Sequence, residues 1–147
     1  MTYTTHSADE TEQLAADFAK GLRGGDVLAL FGGLGAGKTA FVRGLARGLG
    51  IMAAVSSPTY AIVHEYRAAK TAVCATTFAN YCLAHFDMYR VSTWGDLESC
   101  GYFDYLESGA ILAIEWSENI VSALPEGAIR VEILPGASDD ERVICVT

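Results

Sequence analysis

Val27-Leu28-Ala29-Leu30-Phe31-Gly32-Gly33-Leu34-Gly35-Ala36-Gly37-Lys38-Thr39 is the stretch from which the fold follows. It fits G-x-x-x-x-G-K-S/T, with Gly32, Gly37, Lys38 and Thr39 in the fixed positions. The apolar run Val27–Phe31 predicts a buried strand. Thr39–Leu49, with Phe41, Val42, Leu45 and Leu49 at helical spacing, predicts a helix. Strand, glycine-rich turn and helix, in that order, form the context in which this motif cradles phosphate.

Each fixed residue has a separate chemical reason. The glycines let successive N–H groups curl inward at phosphate oxygens, which a Cβ would obstruct. The following helix points its N-terminus, with unpaired N–H groups and partial positive charge, at the same place. The Lys38 ammonium can reach the β- and γ-phosphates, and the Thr39 hydroxyl can ligate Mg²⁺. A glycine-rich turn with no ligand is the plain alternative. With every fixed position filled and both flanks correct, the stretch points to a bound nucleoside triphosphate.

Outward from the loop, 147 residues suffice for one domain with a real core, so residues 1–147 are expected to form a single P-loop domain. Ten basic residues stand against 18 acidic ones, a net charge of −8. That argues against an autonomous nucleic-acid binder, which needs a basic face for phosphates. Any RNA role would run through a partner. Cys74, Cys82, Cys100 and Cys145 form no C-x-x-C pair, and free thiols in a reducing compartment are the simplest expectation. The polar, acidic N-terminus is no signal peptide, and no apolar run reaches a membrane span. The expected location is the cytoplasm.

Ser7-Ala8-Asp9-Glu10 has the form of a capping box, and Leu14, Phe18 and Leu22 recur at helical spacing behind it. Thr11 falls in the first turn, as a solvated residue on the plainest view. Tyr60–Tyr66 and Tyr81–Tyr89 suggest an antiparallel ribbon; between them, Arg67 to about Asn80 fits either an extended hairpin or a mobile loop. Trp94–Leu106 suggests short helical pieces broken at Gly101. Ile111–Trp116 is an apolar strand ending in an acid, and Ala128–Leu134 and Arg142–Val146 are two more strands. The sum is roughly two to four helices and about six strands. It predicts an α/β fold of the P-loop NTPase type, with a mixed central β-sheet flanked by helices and the phosphate loop at a strand's carboxyl end.

Mg²⁺ accompanying a triphosphate wants hard oxygen ligands. Asp87, in His85-Phe86-Asp87-Met88-Tyr89-Arg90, and Glu115, after Ile111–Ile114, are the two candidate acids. Glu115 has the better strand context; Asp87 sits among polar and aromatic residues. Arg90 and Arg130 are candidate counter-charges. Trp116 reads by default as core, and His85 as a hydrogen-bonded structural histidine beside Asp87 rather than a general base.

Gly32–Thr39, Ser57-Pro58-Thr59-Tyr60, His85–Arg90 and Glu115-Trp116-Ser117-Glu118 together resemble the bacterial TsaE family, the small ATPases of tRNA threonylcarbamoyladenosine biosynthesis. The resemblance runs from Thr11 to about Arg130. It implies a P-loop ATPase, weak alone and productive in a complex with the threonylcarbamoyl-transferase subunit and its paralogous partner (TsaD and TsaB type). Such a protein supports, without itself performing, threonylcarbamoyl transfer to adenosine 37 of tRNA, and meets tRNA only through the complex. It implies that Gly35, Ala36, Gly37, Lys38 and Thr39 hold the phosphates of ATP and that Thr39 and Glu115 hold Mg²⁺. Thr11 would lie near the adenine, and Arg130 at the nucleotide site. Ser57-Pro58-Thr59 would be a switch-like loop near the γ-phosphate, with Lys38, Asp87 and Thr59 serving hydrolysis. Two departures stand out: Arg67–Leu83 is longer than the family's usual hairpin turn, and Ser117 replaces a proline common after Glu-Trp.

Two other functions share the phosphate loop. A small-molecule kinase would need clustered lid arginines to exclude water, and here the arginines are dispersed. A nucleotide-gated adaptor without turnover would use the same switch elements.

Overall fold

The computed structural model describes residues 1–58, 62–67 and 82–147. Its strands are β1 (Thr2–Thr5), β2 (Val27–Phe31), β3 (Val63–Tyr66), β4 (Leu83–Asp87), β5 (Ile111–Glu115), β6 (Ile129–Pro135) and β7 (Arg142–Val146). They form one mixed sheet in the order β1-β7-β6-β2-β5-β4-β3. β2 lies between β6 and β5 and is parallel to both, and β5 is parallel to β4. The β3–β4, β6–β7 and β1–β7 pairs are antiparallel. An α/β fold with a mixed sheet flanked by helices is what the sequence predicts.

The two faces separate by strand alternation. Leu28, Leu30, Leu83, Ile111, Ala113, Val131 and Ile133 meet α1 (Ala8–Ala19) and α2 (Lys38–Gly48) on one side. Ala84, Phe86, Leu112 and Ile114 meet α3 (Trp94–Ser99), α4 (Tyr102–Leu106) and the 3₁₀ segment Ser117–Ala123 on the other. Covered on both faces, β2 and β5 read as continuous apolar runs rather than alternating ones.

Local signals behave as their chemistry requires. Gly101, at φ +76°, separates α3 from α4. Ser7 caps α1 by accepting from the Glu10 N–H at 3.1 Å, but the Glu10 carboxylate accepts from the His6 N–H, not from that of Ser7. Strand β1 has no counterpart in the sequence expectations because Thr2–Thr5 is polar and mostly exposed; its stabilisation is the ladder with β7. Cys100 and Cys145 are free thiols as expected, whereas Cys82 is disulfide-bonded. Pairing needs proximity in space, which chain spacing does not show. Among the described residues no helix is long and apolar enough to cross a membrane.

Candidate functional site

Strand β2 delivers the chain to the glycine-rich loop at its carboxyl end, and α2 leaves from it. Gly32 has φ +150°, and a Cβ there would lie 2.6 Å from the Ile133 carbonyl oxygen on β6. Only glycine lets the loop begin this close to a neighbouring strand. Gly37, at φ +105°, is the N-cap of α2, a conformation costly for any L side chain. The turn is closed by Ala36 N–H to Gly33 O at 3.2 Å and Phe41 N–H to Gly37 O at 3.0 Å.

Lys38 is buried. Its ammonium donates to Gly32 O and to Gly33 O, and lies 3.5 Å from the centroid of the Trp116 ring. Burial pushes the ammonium below the ordinary lysine range, opposed by the carboxylates of Glu118, Glu115 and Asp87. Arg142 on β7 braces the loop from outside: Nε donates to Ala36 O at 2.9 Å and Nη2 to Gly35 O at 3.2 Å.

The acids of the site have separate partners. Glu115, 4% exposed at the end of β5, lies with both carboxylate oxygens 3.1 Å from Thr39 Oγ1. Its Oε2 also accepts from Nε2 of the fully buried His85 at 2.5 Å. Asp87 accepts from the Ser57 hydroxyl at 3.0 Å and from the Tyr89 N–H at 2.9 Å. Glu118 accepts from the Gly32 N–H at 2.9 Å. His85 therefore bonds Glu115 rather than Asp87, because its ring reaches across to β5 instead of along its own strand. Trp116 is half-buried, wedged between Lys38 and the exposed Tyr89, whose ring centroid is 4.9 Å away.

A cavity of about 580 Å³ opens over this arrangement. Gly35, Ala36, Gly37, Lys38, Thr39, Asp87 and Glu115 all line it, as do Arg142 and Arg43. Thr11 and Arg130 do not. Thr11 is buried, with its hydroxyl 2.7 Å from that of Thr5, instead of solvated. The Arg130 guanidinium stacks 3.8 Å over the Phe31 ring and pairs with Glu132 at 3.5 Å. Thr59 lies outside the described residues, as does most of the Arg67–Leu83 segment. Sequence reasoning missed Arg142: nothing in a turn-then-strand pattern signals a contact with Ala36, 106 positions away.

The donor set suits Mg²⁺. Thr39 and Glu115 offer hard oxygens, and Mg²⁺ typically takes one or two carboxylates and completes its octahedron with phosphates and water. Among the described residues no group of three or more His, Cys, Asp or Glu is arranged to hold a metal ion by itself.

Residues 5–144 match the family model described as Threonylcarbamoyl adenosine biosynthesis protein TsaE. The tRNA threonylcarbamoyladenosine biosynthesis protein TsaE of Bacillus subtilis is 35% identical over 147 residues, covering 100% of this chain and 85% of that one. The protein of the same description from Treponema pallidum is 32% identical over 133 residues, covering 90% of each. The crystal structure of Bacillus subtilis YdiB superposes with a TM-score of 0.73 at 32% identity, over 98% of this chain and 82% of that one.

Proposed function

The chain belongs to the TsaE family of tRNA threonylcarbamoyladenosine biosynthesis proteins, and from that premise we propose that it is a Mg²⁺-dependent ATPase that supports threonylcarbamoyl transfer to adenosine 37 of tRNA. It works as a subunit beside the transferase subunit and its paralogous partner, and meets tRNA only through them. The observation that carries this is the meeting of Thr39 and Glu115, 76 positions apart, at the mouth of the phosphate loop. A loop that only bound phosphate would not need a buried carboxylate held against its threonine.

Within that site the backbone N–H groups of Gly35 to Thr39 bind the phosphates, helped by the α2 N-terminus. Lys38 exchanges its loop carbonyls for β- and γ-phosphate oxygens. Thr39 and Glu115 would hold Mg²⁺, which would neutralise negative charge developing on the phosphates. Asp87 is placed beside Glu115 and tied to Ser57, so it can orient the attacking water and link it to the Ser57-Pro58-Thr59 loop. Thr59 shares in sensing the γ-phosphate. Hydrolysis is in-line attack of water on the γ-phosphorus, slow until the partner completes the charge stabilisation; such a contribution is worth about 10³ to 10⁵ in rate.

The test is phosphate release from ATP, with Mg²⁺ or EDTA, by the protein alone and with the purified transferase pair. Slow release that the pair accelerates is the expected result. Stoichiometric phosphorylation of a metabolite, or release indifferent to the pair, would overturn it.

A further inference from the structure

Strands β4 and β5 run parallel with His85 opposite Ala113 and Asp87 opposite Glu115. Side chains alternate along a strand, so Leu83, His85 and Asp87 share a face with Ile111, Ala113 and Glu115. That face packs on α1 and α2, and its interior neighbours Leu83, Ile111 and Ala113 are apolar. His85 is thus an imidazole in an apolar layer, with no exposed surface. A buried polar group costs free energy unless it is hydrogen-bonded. Nδ1 has no hydrogen-bond partner among the described residues. The ring's polar contact is the bond from Nε2 to Glu115 Oε2.

The consequence falls on Glu115. A glutamate at a strand end has three rotatable bonds, and Thr39 alone gives its carboxylate one hydroxyl to lean on. The His85 bond comes from the opposite direction, from within the sheet, and turns a two-point contact into a held orientation. We propose that His85 is a positioning residue: its Nε2–H fixes the Glu115 carboxylate against Thr39 and thereby sets the affinity of the site for the divalent cation. This rests on the assignment of Glu115 to that cation. Hydrogen-bond partners behind metal ligands commonly carry about 10- to 100-fold in metal affinity.

Two amides separate the proposal from a merely structural need for a buried polar group. His85→Gln places an amide N–H at the position of Nε2; His85→Asn places one at the position of Nδ1. Mn²⁺ is the probe, its free concentration read by electron paramagnetic resonance in the presence of a non-hydrolysable ATP analogue. Nucleotide affinity in EDTA and thermal melting are measured alongside. His85→Asn is expected to weaken Mn²⁺ binding about 10- to 100-fold, with nucleotide affinity in EDTA unchanged, while His85→Gln keeps most of the Mn²⁺ affinity. Equal losses in both variants, or no loss in His85→Asn, would overturn the proposal. Glu115→Gln keeps the two failures apart. If it loses Mn²⁺ binding while His85→Asn does not, only the positioning role falls; if neither loses it, the cation assignment itself falls. Should His85→Asn not fold, the wild-type imidazole carries the test. Its Nε2–H resonance should shift when Mg²⁺ joins the nucleotide complex, and an unmoved resonance would overturn the role.

Discussion

Asp87 and Glu115 stand opposite each other at the carboxyl ends of adjacent parallel strands, yet among the described residues they take different hydrogen-bond donors: Asp87 takes Ser57 and the Tyr89 N–H, Glu115 takes Thr39 and His85. Two carboxylates at neighbouring positions are thus committed to different parts of the machinery. Glu115 faces the glycine-rich loop through Thr39, and Asp87 faces the Ser57 segment.

Glu115→Gln keeps the shape of the side chain and removes its charge. The loss should appear in the Mg²⁺ dependence of nucleotide binding and not in binding measured in EDTA. Removing a charged hydrogen-bonding partner costs about 1.5–3 kcal/mol, or roughly 10- to 150-fold. Calorimetry that shows equal effects with and without Mg²⁺ would count against the metal role.

Asp87→Asn should leave partner binding intact while tRNA modification is lost, because the amide keeps the contact surface but not the charge that the proposed mechanism uses to orient water. Pull-down of the transferase pair and a modification assay give the two readouts. Unchanged modification would sink hydrolysis as the purpose of Asp87.

Lys38→Ala removes an ammonium held in the loop, and the nucleotide should bind roughly 10- to 150-fold more weakly if one charged hydrogen bond of about 1.5–3 kcal/mol is lost. Titration calorimetry checks this, and unchanged affinity would refute it.

Gly44→Ala and Gly48→Ala should both destabilise the fold. By helix propensity alone, each exchange would gain about 1 kcal/mol. Here a Cβ at Gly44 would sit 2.2 Å from the Glu12 carbonyl oxygen, and one at Gly48 2.3 Å from that of Ala16. The backbone of α1 cannot yield as a flexible side chain would, so α1 and α2 must separate. Overpacking costs about 1–3 kcal/mol, and a denaturant melt with raised stability would contradict the close approach.

Tyr102 gives a pH test. It is fully buried and its hydroxyl donates to Ala123 O at 3.0 Å; burial first, then the nearby Cys100, pushes the phenol up to about 12. The unfolded chain ionises this phenol near its ordinary value of about 10. Between those limits the folded protein holds more protons than the unfolded one, so stability falls as pH rises. Tyr102→Phe should flatten that decline. An ultraviolet titration in which every tyrosine ionises together near the ordinary value would exclude the shift.

The expectations that came through most directly are those with local causes. The strand, loop and helix from Val27 to Gly48 lie within about one residue of the sequence boundaries. The same is true of the break at Gly101 and of strands β5, β6 and β7. What escaped was decided by partners far along the chain. Strand β1 has little apolar pattern of its own and exists through β7. Thr11, polar in a first helical turn, is buried because Thr5 on β1 meets it. Strand pattern favoured Glu115 over Asp87 without deciding between them; the family resemblance pairs Glu115 with Thr39, and Glu115 is the acid that meets it.

The sequence by itself determined that a strand feeds a glycine-rich loop into a helix, because positive φ and helical spacing are properties of neighbouring residues. Its four separated motifs also identified the family. Tertiary structure alone decided that His85 bonds Glu115, that Thr5 meets Thr11 and that Arg142 braces Gly35 and Ala36. Those contacts follow from sheet order and register, and register is set by burial summed over all the strands at once.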